Sequence, residues 1–159
     1  MNLNKILLTG LCVWLLQLFL ADFLAINTIR PDFIVIAVLY WSLINGRLTG
    51  IIFGFFIGLI TDLSGTASFF GLSPLTYSIT GYLGGSLMGK FSKMSLLYFS
   101  LAWVSILIFN FLIFSIVQYQ HIFGVNNFLF WSKWLATCFY TLCFAGILQF
   151  IYPLHNYNA

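Results

Sequence analysis

The chain has 159 residues, 62 % of them hydrophobic, with six basic and three acidic side chains and a net charge of +3. A water-soluble domain of this size carries charge on about a quarter of its residues, so the composition excludes a soluble globular protein and requires lipid as the solvent. The basic residues stand singly, which excludes a phosphate-binding stripe for nucleic acid.

The first apolar run predicts a helix over residues 6–26, long enough to cross a hydrocarbon layer of about 30 Å at about 1.5 Å per residue. Lys5 ahead of it imitates a signal peptide. The run from 6 to 21 is longer than most signal cores, however, and no Ala-x-Ala site follows it, so it reads as a retained first helix. Arg30-Pro31-Asp32 then marks a restart. Proline at a first helical position gives up no hydrogen bond, and Asp32 behind it complements the helix dipole. A second helix therefore runs over 31–45 and stops at Asn45-Gly46. A third spans 48–63, broken by the small polar stretch 64–68. Ser73-Pro74 reads as the cap and first position of a fourth, over 74–89. The fifth covers 95–118 and the sixth 128–152, with Pro153 as its stop. The expected fold class is an all-α integral membrane protein, a single transmembrane domain built as a compact bundle of about six helices. Helices two and three are short, about 21–24 Å each, which suits a locally thinned bilayer or partial shielding by neighbouring helices, with a re-entrant hairpin as the competing reading.

Lys5, Arg47, Lys90 and Lys93 fall on one side of this arrangement, and Arg30 and Lys133 on the other. The excess predicts that both termini face the cytoplasm. Trp41, Trp131, Trp134 and Tyr152 lie near predicted helix ends, as interfacial anchors do.

Glycine spacing is the most informative pattern. Gly50, Gly54 and Gly58 recur every fourth residue on the third helix, and Gly81, Gly85 and Gly89 do so on the fourth, with Gly84 beside them. Lipid offers little hydrophobic drive for helices to associate, so close backbone approach must supply it. These stripes predict helix packing, either between the two helices or against a partner; their short connection favours the former. Asp62 continues the stripe of the third helix, and Tyr77 and Ser73 extend that of the fourth, so the three are expected to converge near its outer end. A carboxylate there is either a functional group or a cap for the 64–68 turn. Asp22 is placed to pair with Arg30 or Lys133.

Catalytic constellations are missing from the sequence. The chain has no glutamate, so a His-Glu-x-x-His metal site is excluded. His121 and His155 lie far apart, no serine has a base at a readable spacing, and no Gly-rich loop precedes a Lys-Ser pair. Cys12, Cys138 and Cys143 sit singly in apolar runs and read as packing residues. No catalytic residue, cofactor or metal is expected.

Arg30-Pro31-Asp32-Phe33, the stretch Gly54-Phe55-Phe56-Ile57-Gly58-Leu59, then Asp62, Gly65, Gly71-Leu72, Tyr77 and Gly81-Tyr82-Leu83-Gly84 together resemble the rod shape-determining protein MreD family. The resemblance covers about residues 30 to 90. It implies a non-catalytic scaffold or regulatory subunit in the bacterial cytoplasmic membrane. Its implied partners are MreC, the actin-like MreB filament and the lateral-wall peptidoglycan synthases. It also implies a fold similar to the substrate-binding subunits of energy-coupling-factor transporters, with a central cavity. On this reading the glycines set helix approach, while Arg30, Pro31, Asp32, Asp62 and Tyr77 shape outer loops that meet a partner.

The alternative is a vitamin-transporter subunit itself. That class carries an Ala-x-x-x-Ala stripe on its first helix, for which only Ala21 and Ala25 are available, near the wrong end. A small channel would need a lining of repeated polar residues, which the sequence lacks.

Overall fold

A computed structural model of the chain describes residues 3–25, 29–64, 69–90 and 94–151. Six α-helices follow in order: α1 Leu3–Phe23, α2 Phe33–Asn45, α3 Arg47–Leu63, α4 Leu72–Gly85, α5 Leu96–Gln118 and α6 Asn127–Ile151. Two of them, α5 and α6, are long and apolar enough to cross a membrane, and less than a third of each is buried inside the chain. Such exposure is wrong for core helices of a soluble fold and right for helices facing lipid.

α2 occupies the centre of the bundle. Apolar side chains all round a helix call for burial on every side, and Ile34, Val35, Ile36, Val38, Leu39, Ser42 and Leu43 are all buried. Phe99, Trp103, Leu107 and Phe111 of α5 and Cys138 and Ala145 of α6 complete the core around them. α3 and α4 make the most extensive contact in the molecule, while α1 rests more lightly on α2 and α3.

Helix ends differ from the expected ones in physically instructive ways. α2 begins at Phe33, with Pro31 outside it and Asp32 as an extended N-cap at φ −103° and ψ 93°. The reason is the carboxylate: it accepts from Val35 N at 3.0 Å, one of the orphan N–H groups of the first turn. α4 begins at Leu72, two residues before Pro74, with Gly71 as a left-handed cap. It ends at Gly85, after which 86–89 form a turn. α2 and α3 are joined by Gly46 alone, at φ +91°, a conformation open to glycine. Trp41 is not a free anchor: it stacks on Phe53 of α3 with centroids 5.3 Å apart. Trp131 and Trp134 meet edge to face on α6, and Lys133 Nζ stands 5.0 Å from the ring centroid of Tyr119. Tyr152, His155, the side chain of Asp22 and its expected pairing lie outside the described residues.

Candidate functional site

Two features built from the conspicuous residues meet on α4. The first is a glycine seam. A Cβ added at Gly50 would stand 2.7 Å from the carbonyl oxygen of Gly81, one at Gly54 2.6 Å from that of Tyr77, and one at Gly58 2.5 Å from Pro74 N. From the other side, Gly81 faces the backbone of Gly50, and Gly85 that of Gly46 and Arg47. Gly84 faces the Ser42 hydroxyl on α2. Each α3 glycine is thus matched in antiparallel register to an α4 backbone atom. Only a missing side chain permits that approach, and dispersion between the two backbones is its return. Gly89 does not belong to the seam. It sits in the turn after α4 at φ +69° with nothing within 4 Å of an added Cβ. Its four-residue spacing is real, but the backbone has already left the helix.

The second feature is a polar cluster at the start of α2. Asp32 Oδ2 accepts a hydrogen bond from the Tyr77 hydroxyl of α4 at 2.9 Å. Asp32 N donates to Thr141 Oγ1 of α6 at 3.3 Å. Gln17 of α1 supplies both halves of its amide. Its Nε2 donates to Pro31 O at 3.1 Å, and its Oε1 accepts from Phe33 N at 2.8 Å. The side chain therefore substitutes for the peptide partner that an unbroken helix would have supplied. Away from water, a broken backbone is tolerated only when its polar groups are satisfied in this way. Four helices converge on Asp32, and the carboxylate's desolvation is offset by donors from two of them.

Asp62 lies at the end of α3 and is 7 % exposed. Its Oδ2 accepts from Gly71 N at 2.6 Å, which ties the end of α3 to the cap of α4. Its Oδ1 is buried with no hydrogen-bond partner among the described residues. Of the residues expected to converge here, Asp62 bonds Gly71 N while the Tyr77 hydroxyl bonds Asp32. A helical side chain leans toward its own N-terminus, and this carries the Tyr77 hydroxyl to the start of α2. Pro31 is buried, whereas Arg30 is exposed beside it.

Three polar residues not singled out in the sequence complete the arrangement: Gln17, Thr141 and Asn110. Asn110 of α5 is buried and donates from Nδ2 to Thr76 O at 2.9 Å and to Thr80 Oγ1 at 2.7 Å, fastening α5 to α4. The available signal was a lone amide inside a long apolar run, a placement that lipid penalises unless a partner waits.

Chemically, the cluster is a clamp. Its carboxylate, phenol and amide are engaged with one another and with backbone, so they hold helix starts in register. Among the described residues, no three His, Cys, Asp or Glu side chains come together in a metal-holding group.

The model of one protein family, described as rod shape-determining protein MreD, matches residues 3–156. No curated protein and no solved structure matches the chain.

Proposed function

Because the chain belongs to the MreD family of rod shape-determining membrane proteins, we propose that it is a non-catalytic scaffold and regulator of the bacterial elongation machinery. In this reading it sits in the cytoplasmic membrane with all six helices embedded and both termini inside. It binds MreC and works with MreB and the lateral-wall peptidoglycan synthases. The observation that carries the proposal is the match over residues 3–156, nearly the whole of a chain of 159. The internal arrangement is in keeping with it: Asp32, Tyr77, Gln17 and Thr141 fasten four helices together. Such a fastening suits a rigid platform whose outer loops present a fixed surface to a partner, with Arg30 exposed there and Asp62 holding the α3–α4 connection from within.

Affinity purification of the tagged protein from gently solubilised native membranes, followed by mass spectrometry, tests this. Co-purification of MreC or peptidoglycan synthases is the expected result. Recovery of an ATPase pair with a coupling membrane subunit, and no wall-synthesis protein, would replace the scaffold with a solute-binding transporter component.

A further inference from the structure

The six helices differ in height, and the hydrogen bonds between them say where the short ones stop. Asp32, ahead of α2, bonds Thr141, which lies about 21 Å along α6 from Asn127 and about 15 Å from Ile151. At the other end, Tyr40 of α2 donates to Gln149 near the end of α6 at 3.2 Å. The lower end of α2 is therefore about level with that of α6, while its upper end reaches only the middle of α6.

A second route gives the same answer for α4. Asn110 bonds Thr76, and these two lie about 12 Å from the end of α5 and about 6 Å from the start of α4. Tyr119, just past α5, is level with Lys133 of α6. The start of α4 thus falls about 12–15 Å below Phe128. α3 stops low as well, since its C-cap Ser64 accepts from Trp14 Nε1 of α1 at 3.2 Å, about 14 Å short of the end of α1.

The α5–α6 hairpin consequently overhangs the α2–α3–α4 unit. Its tip exposes Phe123, Val125 and Phe128, 53 %, 86 % and 85 % accessible, among the exposed polar side chains Gln120, His121, Asn126 and Asn127. Large apolar side chains interleaved with polar ones suit the boundary between hydrocarbon and headgroups, so the tip marks the membrane's reach on that side. Beneath that reach, the backbone between helices at Arg30 and Phe69–Gly71 is non-helical. Irregular backbone does not stand in hydrocarbon facing lipid. Water and headgroups must come down to it.

We infer that the protein thins the leaflet at the Asp32 end, drawing lipid headgroups and water about 10 Å closer to the bilayer centre over α3 and α4 than along α5 and α6. The occupant of this face is lipid. The outward sides of α3 and α4, with Leu48, Ile52, Phe55, Phe56, Ile60 and Leu75 exposed, present an apolar wall of only about 21–25 Å. A wall shorter than the hydrocarbon layer compresses the bilayer beside it.

Nitroxide labels at Phe70→Cys and Phe128→Cys read the two heights. The full chain, with Cys12, Cys138 and Cys143 replaced by Ala, is reconstituted in phosphatidylcholine vesicles with 18-carbon chains. Depth is measured from collisions with oxygen and with a water-soluble nickel chelate. Both labels are expected at headgroup depth, although one lies more than 10 Å nearer the opposite end of the bundle. A Phe70→Cys label in hydrocarbon overturns the inference. So does a Phe128→Cys label in bulk water with Phe70→Cys at headgroup depth, because the hairpin then protrudes from an unthinned bilayer. Leu63→Cys and Val125→Cys, both exposed, read the same heights if the first pair fails to assemble.

Discussion

Placing a single methyl group at Gly54 tests the glycine seam near its middle, against backbone atoms alone. The added Cβ would lie 2.6 Å from Tyr77 O and 2.8 Å from Tyr77 C. These are backbone atoms of a helix and cannot swing aside. Restoring an ordinary separation of about 3.5 Å requires α3 and α4 to part by about 1 Å. Parting loosens contacts along the whole seam and moves Tyr77 relative to Asp32. Overpacking of this kind costs about 1–3 kcal/mol, and Gly54→Ala is expected to lower stability by that amount. Gly146→Ala is the control: it is also helical, but nothing lies within 4 Å of its added Cβ, so the better helix propensity of alanine makes it neutral or stabilising by up to about 1 kcal/mol. Equilibrium unfolding in mixed micelles, followed by tryptophan fluorescence, measures both. The pair Gly50→Ala with Gly81→Ala adds a sharper criterion, because these residues face each other. Once one methyl has parted the helices the second has less to clash with, so the double variant should cost less than the sum of the singles by about 0.5 kcal/mol or more. Wild-type stability of Gly54→Ala, or strict additivity of the facing pair, would refute the close backbone approach.

The polar cluster yields further expectations. Tyr77→Phe leaves the half-buried Asp32 Oδ2 without its donor and should cost about 1–3 kcal/mol; in the Asp32→Ala background the same change should cost much less, a double-mutant cycle read by thermal unfolding in detergent. Gln17→Leu orphans both Pro31 O and Phe33 N and should destabilise by about 1–3 kcal/mol, whereas Gln17→Glu retains the acceptor for Phe33 N and should cost less, as measured by the same melts. Asn110→Leu removes one interhelical fastening, of the order of 0.6 kcal/mol in membrane proteins, so the variant should stay folded and keep its co-purifying partners. Asp62→Asn retains an acceptor for Gly71 N and Asp62→Ala does not, so hydrogen exchange at Gly71 should rise only in the alanine variant.

The parts legible in the sequence are those with local period. Four-residue glycine spacing singles out Gly50, Gly54, Gly58, Gly81 and Gly85, all of which lack room for a Cβ. The same rule misleads at Gly89, which lies in the turn past the end of α4 although the count is undisturbed. Asp32 is visible as a helix-start residue because capping is local chemistry. What Asp32 bonds to is not visible. Tyr77 lies 45 residues away and Thr141 109 residues away, and side-chain types alone do not encode such pairings. Helix lengths are approximately readable from apolar runs, but relative heights are not, since they follow from which side chains meet across the bundle.

The connection of α2 to α3 by Gly46 alone bears on how the chain is built as it leaves the ribosome. α2 has 13 residues, about 20 Å, too few to be accepted as a span by itself. With a one-residue link it enters the lipid together with α3 as a preformed hairpin, at little cost in loop closure. Its polar start then waits. Gln17 is already made and Tyr77 follows soon after, but Thr141, on α6, is made 109 residues after Asp32. Until α6 arrives, the amide of Asp32 has no acceptor there, so a segment made 109 residues later closes the break ahead of α2.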